Sequence, residues 1–150
     1  MPSTSLRNAE QLGQWAPALV WAAVIWTLST GWFSADRTAA VILPVLAVLL
    51  PGAPPAELRV IHEGIRKAAH FAEYMVLSVL LYRALRAGRR FDLRAAGLAF
   101  ALAGAYAVSD EFHQWFVPGR TAAATDCLID VSGAAAAQGL LAARARAPWH

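Results

Sequence analysis

Long apolar runs without a charged residue are the feature that most constrains how this chain can fold. Residues 15–33 contain no charge, and Trp15 and Trp32 lie near the two ends of that run. About 20 apolar residues of helix cross a hydrocarbon core, and Trp side chains favour its interfaces. The chain is 58% hydrophobic and 15% charged, whereas ordinary soluble domains are about 25% charged. This composition predicts an integral membrane protein.

Four segments are predicted to span the membrane as helices. They are residues 15–33, 64–82, 95–115 and 121–143. A fifth apolar stretch, 38–50, contains Pro44 and reaches only about 20 Å as a helix, against a core of about 30 Å. We interpret it as a short re-entrant or interfacial helix between the first two spans. The fold class is therefore all-α, a polytopic four-helix membrane bundle, with one domain at 15–143 between tails at 1–14 and 144–150.

The basic residues predict the orientation of this bundle. Eight of the 13 fall on one side of the spans: Arg7, Arg83, Arg86, Arg89, Arg90, Arg94, Arg144 and Arg146. The other five are Arg37, Arg59, Arg66, Lys67 and Arg120. Because basic residues are enriched in cytoplasmic loops, we expect both termini in the cytoplasm. The small excess of basic over acidic residues, 13 against 10, reflects topology, so no nucleic-acid partner is expected.

Ionisable residues interrupt the apolar runs at one height. Measured from the cytoplasmic ends at about 1.5 Å per residue, seven of them lie roughly 20–27 Å up on three helices. They are Lys67, His70, Asp110, Glu111, His113, Asp126 and Asp130, while Glu73 falls lower, near mid-membrane. Since an ionisable group at the centre of a membrane helix costs about 2.5–3.5 kcal/mol, these side chains are expected to meet in one site facing the outside.

Helical angles agree with these heights, because at about 100° per residue the polar groups share one face of each helix. The faces are Lys67, His70, Tyr74 and Ser78; Asp110, His113 and Gln114; and Asp126, Asp130, Gly133 and Ala137. Small residues let helices approach closely and are expected at the contacts: Gly97, Ala101, Gly104, Ala105 and residues 133–137. The same small-residue faces make a homodimer a candidate assembly.

The chemistry of the cluster has an acidic half and a basic half. Crowded carboxylates in a low dielectric must be protonated, paired or metal-bound. The pairs His70 with Glu73 and Asp110 with His113, each one turn apart, suit a divalent metal as candidate cofactor. In the loop 117–121, the Arg120 guanidinium offers a planar fork of donors that suits a phosphate or carboxylate. Structural ion pairing of the same groups is the alternative interpretation.

Three motifs carry most of these residues: Arg66-Lys67-x-x-His70-Phe71-x-Glu73-Tyr74, Ser109-Asp110-Glu111-x-His113-Gln114-x-Phe116-Val117-Pro118-Gly119-Arg120-Thr121 and Asp126-x-x-x-Asp130-x-x-Gly133. Together they resemble the VanZ-like family, and the resemblance runs from the first to the fourth predicted span. It implies a multi-pass protein of the bacterial cytoplasmic (inner) membrane, within the cell envelope. It also implies an association with resistance to the glycopeptide antibiotic teicoplanin. Asp130 stands where we expect Asn in many relatives.

Two classes of function remain open. In the first, the pocket binds a membrane lipid headgroup, a lipid-linked wall precursor or a lipoglycopeptide. Its ligand-binding residues would be Lys67, Glu73, Tyr74, Gln114, Arg120, Thr121, Asp126 and Asp130. In the second, the protein is a small intramembrane hydrolase or transferase acting on lipid phosphate or ester bonds, with catalytic residues Asp110, Glu111, His113 and His70. We favour binding, because the sequence reveals no nucleophile with an oxyanion arrangement.

Overall fold

The computed structural model describes residues 4–86, 91–120 and 123–146 of the chain. Within them the chain forms five α-helices and no strand, so the predicted all-α class is confirmed. The helices are α1 (Thr4–Leu28), α2 (Ala35–Leu49), α3 (Pro55–Leu85), α4 (Leu93–Gln114) and α5 (Ala124–Arg146), with a 3-10 turn, Gly31–Phe33, between α1 and α2.

Local sequence signals explain where α3 and α4 begin. Pro55 stands in the first turn of α3, where its missing N–H would have no helical partner. Asp92 caps α4, because its Oδ1 accepts the backbone N–H groups of Arg94 at 2.9 Å and Ala95 at 3.2 Å. Upstream of α3, Gly52 has a φ of 97°, a value that favours glycine. These starts set the height of every polar side chain further along the two helices.

Helices α3, α4 and α5 pack against one another, while α1 and α2 lie against α3. The buried apolar residues of the three central helices include Tyr74, Leu77, Leu81, Ala99, Ala103, Ala107, Ala134 and Ala137. Two polar contacts secure α1 to this centre. Trp21 Nε1 donates to the Glu73 carbonyl oxygen at 2.9 Å, and the Tyr106 hydroxyl donates to the Ala22 carbonyl oxygen at 2.7 Å. The indole N–H of Trp21 and the hydroxyl group of Tyr106 thus hold α1 against α3 and α4.

The buried face of α4 differs from the expected one. Gly97, Ala101 and Ala105 are exposed and Gly104 is half-buried, whereas Ala99, Ala103 and Ala107 are fully buried. The expectation was wrong for Gly97, Ala101 and Ala105, because it placed the glycine-bearing side of α4 at the contact, where only Gly104 lies near α5. The buried alanines instead continue the helical face of Asp110 and Gln114 at spacings of three and four residues. Burial of that carboxylate therefore decides which side of α4 faces inward.

Helices α3 and α5 approach each other closely at Gly133. A Cβ built on Gly133 would lie 3.0 Å from the carbonyl carbon of Phe71 and closer still to its oxygen. Both are backbone atoms, so a rotamer change could not relieve the clash that a side chain at position 133 would cause. Gly133, Ala134 and Ala137 are buried, which confirms the expected small-residue contact on α5.

One helical stretch, Gly31–Leu49, is long and apolar enough to cross a membrane by length and composition, with a mean hydropathy of 1.5. It includes the piece that was expected to be too short. The stretch reaches this length because it includes the 3-10 turn Gly31–Phe33 as well as α2, which begins at Ala35; the extended backbone of Ser34, with φ −59° and ψ 161°, separates the two elements. No other helix of the described residues passes this test. The four-span arrangement therefore stays a prediction.

We expect Gly133→Ala to destabilise the protein by about 1–3 kcal/mol, because the added methyl group overpacks a contact between backbones. Thermal unfolding in detergent, followed by tryptophan fluorescence, measures the change. Gly139→Ala on the same helix is the matched control, since a Cβ at Gly139 meets nothing within 4 Å. Equal midpoints for the two variants would contradict the close approach of α3 and α5.

Candidate functional site

Asp110 lies at the centre of the buried polar residues and is 1% exposed. Its Oδ2 accepts hydrogen bonds from Ser29 Oγ at 2.7 Å and from Gln114 Nε2 at 3.0 Å. Ser29 directly follows α1, so the carboxylate links the end of α1 to α4. Asp110 Oδ1 has no hydrogen-bond partner among the described residues. The structure thus brings Asp110 and Gln114 together and adds Ser29, which carried no signal in the sequence beyond its polarity.

A second buried carboxylate, Asp130 of α5, faces His70 of α3. His70 Nδ1 lies 3.3 Å from Asp130 Oδ1, an ion-pair distance without the alignment of a hydrogen bond. The Asp130 side chain is 1% exposed and that of His70 15%. The pair lies one helical turn before Gly133, where α3 and α5 meet. Because Nδ1 faces the carboxylate, Nε2 is the nitrogen through which His70 can meet a ligand.

Arg120 supports the end of α1. Its Nη2 donates to the carbonyl oxygens of Leu28 and Thr30, and its Nε donates to the Thr30 carbonyl at 3.3 Å. A cation is favourable there, because the last turn of a helix presents unpaired carbonyl groups and the negative end of the dipole. Burial lowers the pKa of the Arg120 guanidinium, and nearby Arg66 adds to the effect. Arginine nevertheless keeps its charge at neutral pH.

A network that the sequence analysis did not identify joins α2 to α3. The Thr38 hydroxyl lies 3.1 Å from His62 Nε2 and accepts a hydrogen bond from Arg66 Nη1 at 3.1 Å. Arg66 Nη1 also donates to the Phe33 carbonyl at 3.2 Å. The signal that could have revealed it is the spacing of His62 and Arg66, four residues apart on one face of α3. Arg66 is thereby held beside the start of α2.

Two neighbouring cavities meet at these side chains. The apolar cleft, about 170 Å³, lies between the end of α1, α2 and α3; its apolar wall includes Leu28, Phe33, Ile42 and Ile65. The polar pocket, about 150 Å³, is lined by α3, α5 and the loop after α4; its charged groups are Glu63, Arg66, Lys67, Arg120 and Asp126, beside His70. Arg66, His70 and Arg120 line both cavities. Together the cavities have an apolar part and a charged part.

The other residues that were predicted to bind a ligand lie in different parts of the structure. Lys67 is exposed and lines the polar pocket, as does half-buried Asp126. Glu73 lines the apolar cleft. Tyr74 is fully buried beside Tyr106, with ring centroids 6.3 Å apart, so it contributes to packing. Thr121 lies outside the described residues.

Glu111 and His113 depart from the expected cluster. Glu111 Oε1 accepts the backbone N–H of Ala123, and the side chain lines a separate cavity of about 360 Å³ with Phe112 and Trp115. The His113 ring stacks on Trp26 of α1, with centroids 4.0 Å apart. Glu111, one position beyond Asp110, points away from it around the helix. His113 lies on the same side of α4 as Asp110, but its ring is stacked on Trp26 instead. The four proposed catalytic residues therefore do not share one site.

His70 and Glu73, one of the expected metal pairs, both line the apolar cleft, but members of the two pairs contact other residues. His70 faces Asp130, whereas Asp110 is bonded to Ser29 and His113 is stacked on Trp26. Across residues 4–86, 91–120 and 123–146, no three His, Cys, Asp or Glu side chains are grouped to hold a metal ion. The candidate divalent metal has no ligand set in this part of the chain.

Fold and site define an all-α chain whose helices enclose buried carboxylates beside an apolar cleft. The chain matches the model of the VanZ/LLP1 family over residues 9–144, nearly its whole length, and it belongs to that family. The VanZ-like resemblance of its motifs is thus confirmed. No curated protein and no solved structure matches the chain. Family membership and the apolar stretch Gly31–Leu49 indicate a membrane protein.

We expect Arg120→Gln to lower stability by about 1–3 kcal/mol, because the carbonyl groups at the end of α1 lose charged donors. Arg120→Lys should restore little, since an ammonium group cannot reproduce the planar fork. Thermal unfolding in detergent measures both variants, and Arg83→Gln at an exposed position of α3 is the control. A wild-type midpoint for Arg120→Gln would show that Arg120 does not hold α1.

Proposed function

We propose that the protein is a multi-pass membrane protein in which α1, α3, α4 and α5 span the bilayer. The shortest of these, α4 with 22 residues, extends about 33 Å, enough for a core of about 30 Å. With 15 residues, α2 extends only about 22 Å. The 3-10 turn that lengthens the apolar stretch to Gly31–Leu49 is separated from α2 by the extended backbone of Ser34, so we assign α2 a re-entrant or interfacial position. The bias of basic residues supports both termini in the cytoplasm and the site at the outer side of a bacterial inner membrane.

Exposed apolar side chains support this arrangement. Large hydrophobic residues are exposed on each of the four proposed spans, for example Val20 (64%), Ile65 (43%), Leu102 (44%) and Leu140 (62%). In water such surfaces would be costly, whereas acyl chains cover them without penalty.

The observation that carries the functional proposal is the junction of the apolar cleft and the polar pocket at Arg66, His70 and Arg120. An amphipathic molecule fits this shape, with its chain in the cleft and an anionic group among Arg66, Lys67 and Arg120. The ligand class is therefore a membrane lipid, a lipid-linked wall precursor or a lipoglycopeptide. Capture of a lipoglycopeptide such as teicoplanin at the outer leaflet would lower its free concentration there, which supports a role in resistance.

We expect Lys67→Gln to weaken binding of lysophosphatidylglycerol about 3- to 10-fold, because a partly solvated cation next to the phosphate is lost. Native mass spectrometry of the purified protein, titrated with this lipid in detergent, measures the affinity. Arg59→Gln removes an exposed cation of the same helix outside both cavities and should leave binding unchanged. Equal loss in both variants would mean that nonspecific charge attraction explains the binding.

The His70 and Asp130 pair favours a second candidate, a small intramembrane hydrolase or transferase. A carboxylate beside Nδ1 orients an imidazole whose Nε2 can take a proton from water as the water attacks an ester carbonyl or phosphorus. His70 lines both cavities, where Arg66 and Arg120 could stabilise the developing negative charge. In this enzyme hypothesis His70 is the general base, and Asp110 has a structural role.

An enzyme of this kind should release fatty acid or phosphate from lipids in nanodiscs, and His70→Gln should abolish the release. We expect Asp130→Asn to reduce it about 10- to 1,000-fold, because the imidazole loses its orienting charge. Both variants should unfold at the wild-type thermal midpoint, so that a loss of product release reflects lost catalysis and not lost folding. Lipid capture by the wild type without any product would leave only the binding function.

A further inference from the structure

We infer that the polar pocket selects a zwitterionic headgroup, with a phosphate and an ammonium group, on a lipid that carries a single acyl chain. This inference rests on the proposed lipid-binding function and names the class of its ligand. The charges of the pocket, their lack of mutual pairing and the size of the apolar cleft carry it.

Charges of both signs line the polar pocket. The cations are Arg66, Lys67 and Arg120, and the carboxylates are Glu63 and Asp126. Glu63 and Lys67 are four residues apart on α3, the spacing at which glutamate and lysine commonly pair on a helix. Asp126 approaches from the first turn of α5. A ligand in this pocket therefore meets both signs.

These groups do not neutralise one another. In the part of the chain that the structure describes, carboxylates lie within 4.0 Å of a basic nitrogen only at histidines: Glu63 at His62, 3.8 Å, and Asp130 at His70, 3.3 Å. Arg66 and Arg120 donate instead to the Thr38 hydroxyl and to backbone carbonyl oxygens. Lys67 and Asp126 are left to interact with solvent or ligand. A pocket with separated opposite charges is preorganised for a molecule that bears both.

A headgroup of one sign fits less well. A purely anionic group bound by Lys67 and Arg120 would also face Glu63 and Asp126, and like charges at short range are unfavourable. A purely cationic group would meet three cations. A phosphate among the cations with an ammonium at the carboxylates satisfies both sets through charge-assisted hydrogen bonds.

The apolar cleft indicates a single chain. Its volume of about 170 Å³ is below the roughly 300 Å³ at which pockets begin to enclose a drug-sized ligand. The wall of Leu28, Phe33, Ile42 and Ile65 borders the first part of one chain, whose remainder would lie in the bilayer.

The test compares lysophosphatidylethanolamine with lysophosphatidylglycerol of the same acyl chain, titrated into the full-length protein in detergent and read by native mass spectrometry. We expect the ethanolamine lipid to bind about 3- to 10-fold more tightly, because only it offers an ammonium group to Asp126. Asp126→Asn should remove this preference by weakening the ethanolamine lipid alone. Glu63→Gln should act in the same direction and provides a second variant if Asp126→Asn does not fold.

Asp36→Asn is the matched control, since Asp36 also stands in the first turn of its helix but outside the polar pocket. Equal binding of the two lipids, or equal weakening of both by Asp126→Asn, would overturn the zwitterion inference and leave lipid binding intact. Absence of binding by either lipid would overturn the proposed function as well. Glycerophosphoethanolamine, which has no chain, should bind at least tenfold more weakly; equal affinity would make the ligand a free phosphoester.

Discussion

The burial of two carboxylates among apolar helices is the constraint on which the rest of this structure depends. A carboxylate removed from water must find donors or a cation, or the fold loses several kcal/mol. Asp110 finds donors in Ser29 and Gln114, and Asp130 finds the imidazole of His70. Each of these contacts joins different helices, so placing the two carboxylates beside their partners also assembles the bundle. The same requirement turns the alanine face of α4 inward, while Gly97 is exposed and Gly104 is half-buried.

Close packing and polar contacts support each other at the ends of the helices. Gly133 lets α3 and α5 approach until backbone meets backbone, and this contact lies one turn from the pair of His70 and Asp130. At the same end of the bundle, Arg120 holds the last carbonyl groups of α1. The two cavities lie among these fixed points. Their walls are therefore set by contacts that also stabilise the fold, a condition that suits a preformed binding site.

Much of the helical architecture could be predicted from local signals. Apolar runs, the Asp92 cap and Pro55 identify the helices, and the helical period places Asp110 with Gln114 and Asp130 with Gly133. The spacing could not show that His113 contacts another group, because a residue three positions from Asp110 shares its side of the helix, and only the packing of α1 stacks the imidazole on Trp26. Glu111, one position beyond Asp110, points away from it. The roles of Ser29 and Thr38 could not be predicted, because the function of a hydroxyl group depends on which group it contacts in the folded protein.

The sequence by itself determined an all-α chain of the VanZ/LLP1 family with carboxylates inside its apolar helices, because composition and periodicity are local properties. Only the tertiary structure decided their partners: His70 for Asp130, Ser29 for Asp110, and the end of α1 for Arg120. It also decided that opposite charges would line one pocket without pairing there. These outcomes depend on distances between residues far apart in the chain, which packing fixes and periodicity cannot encode.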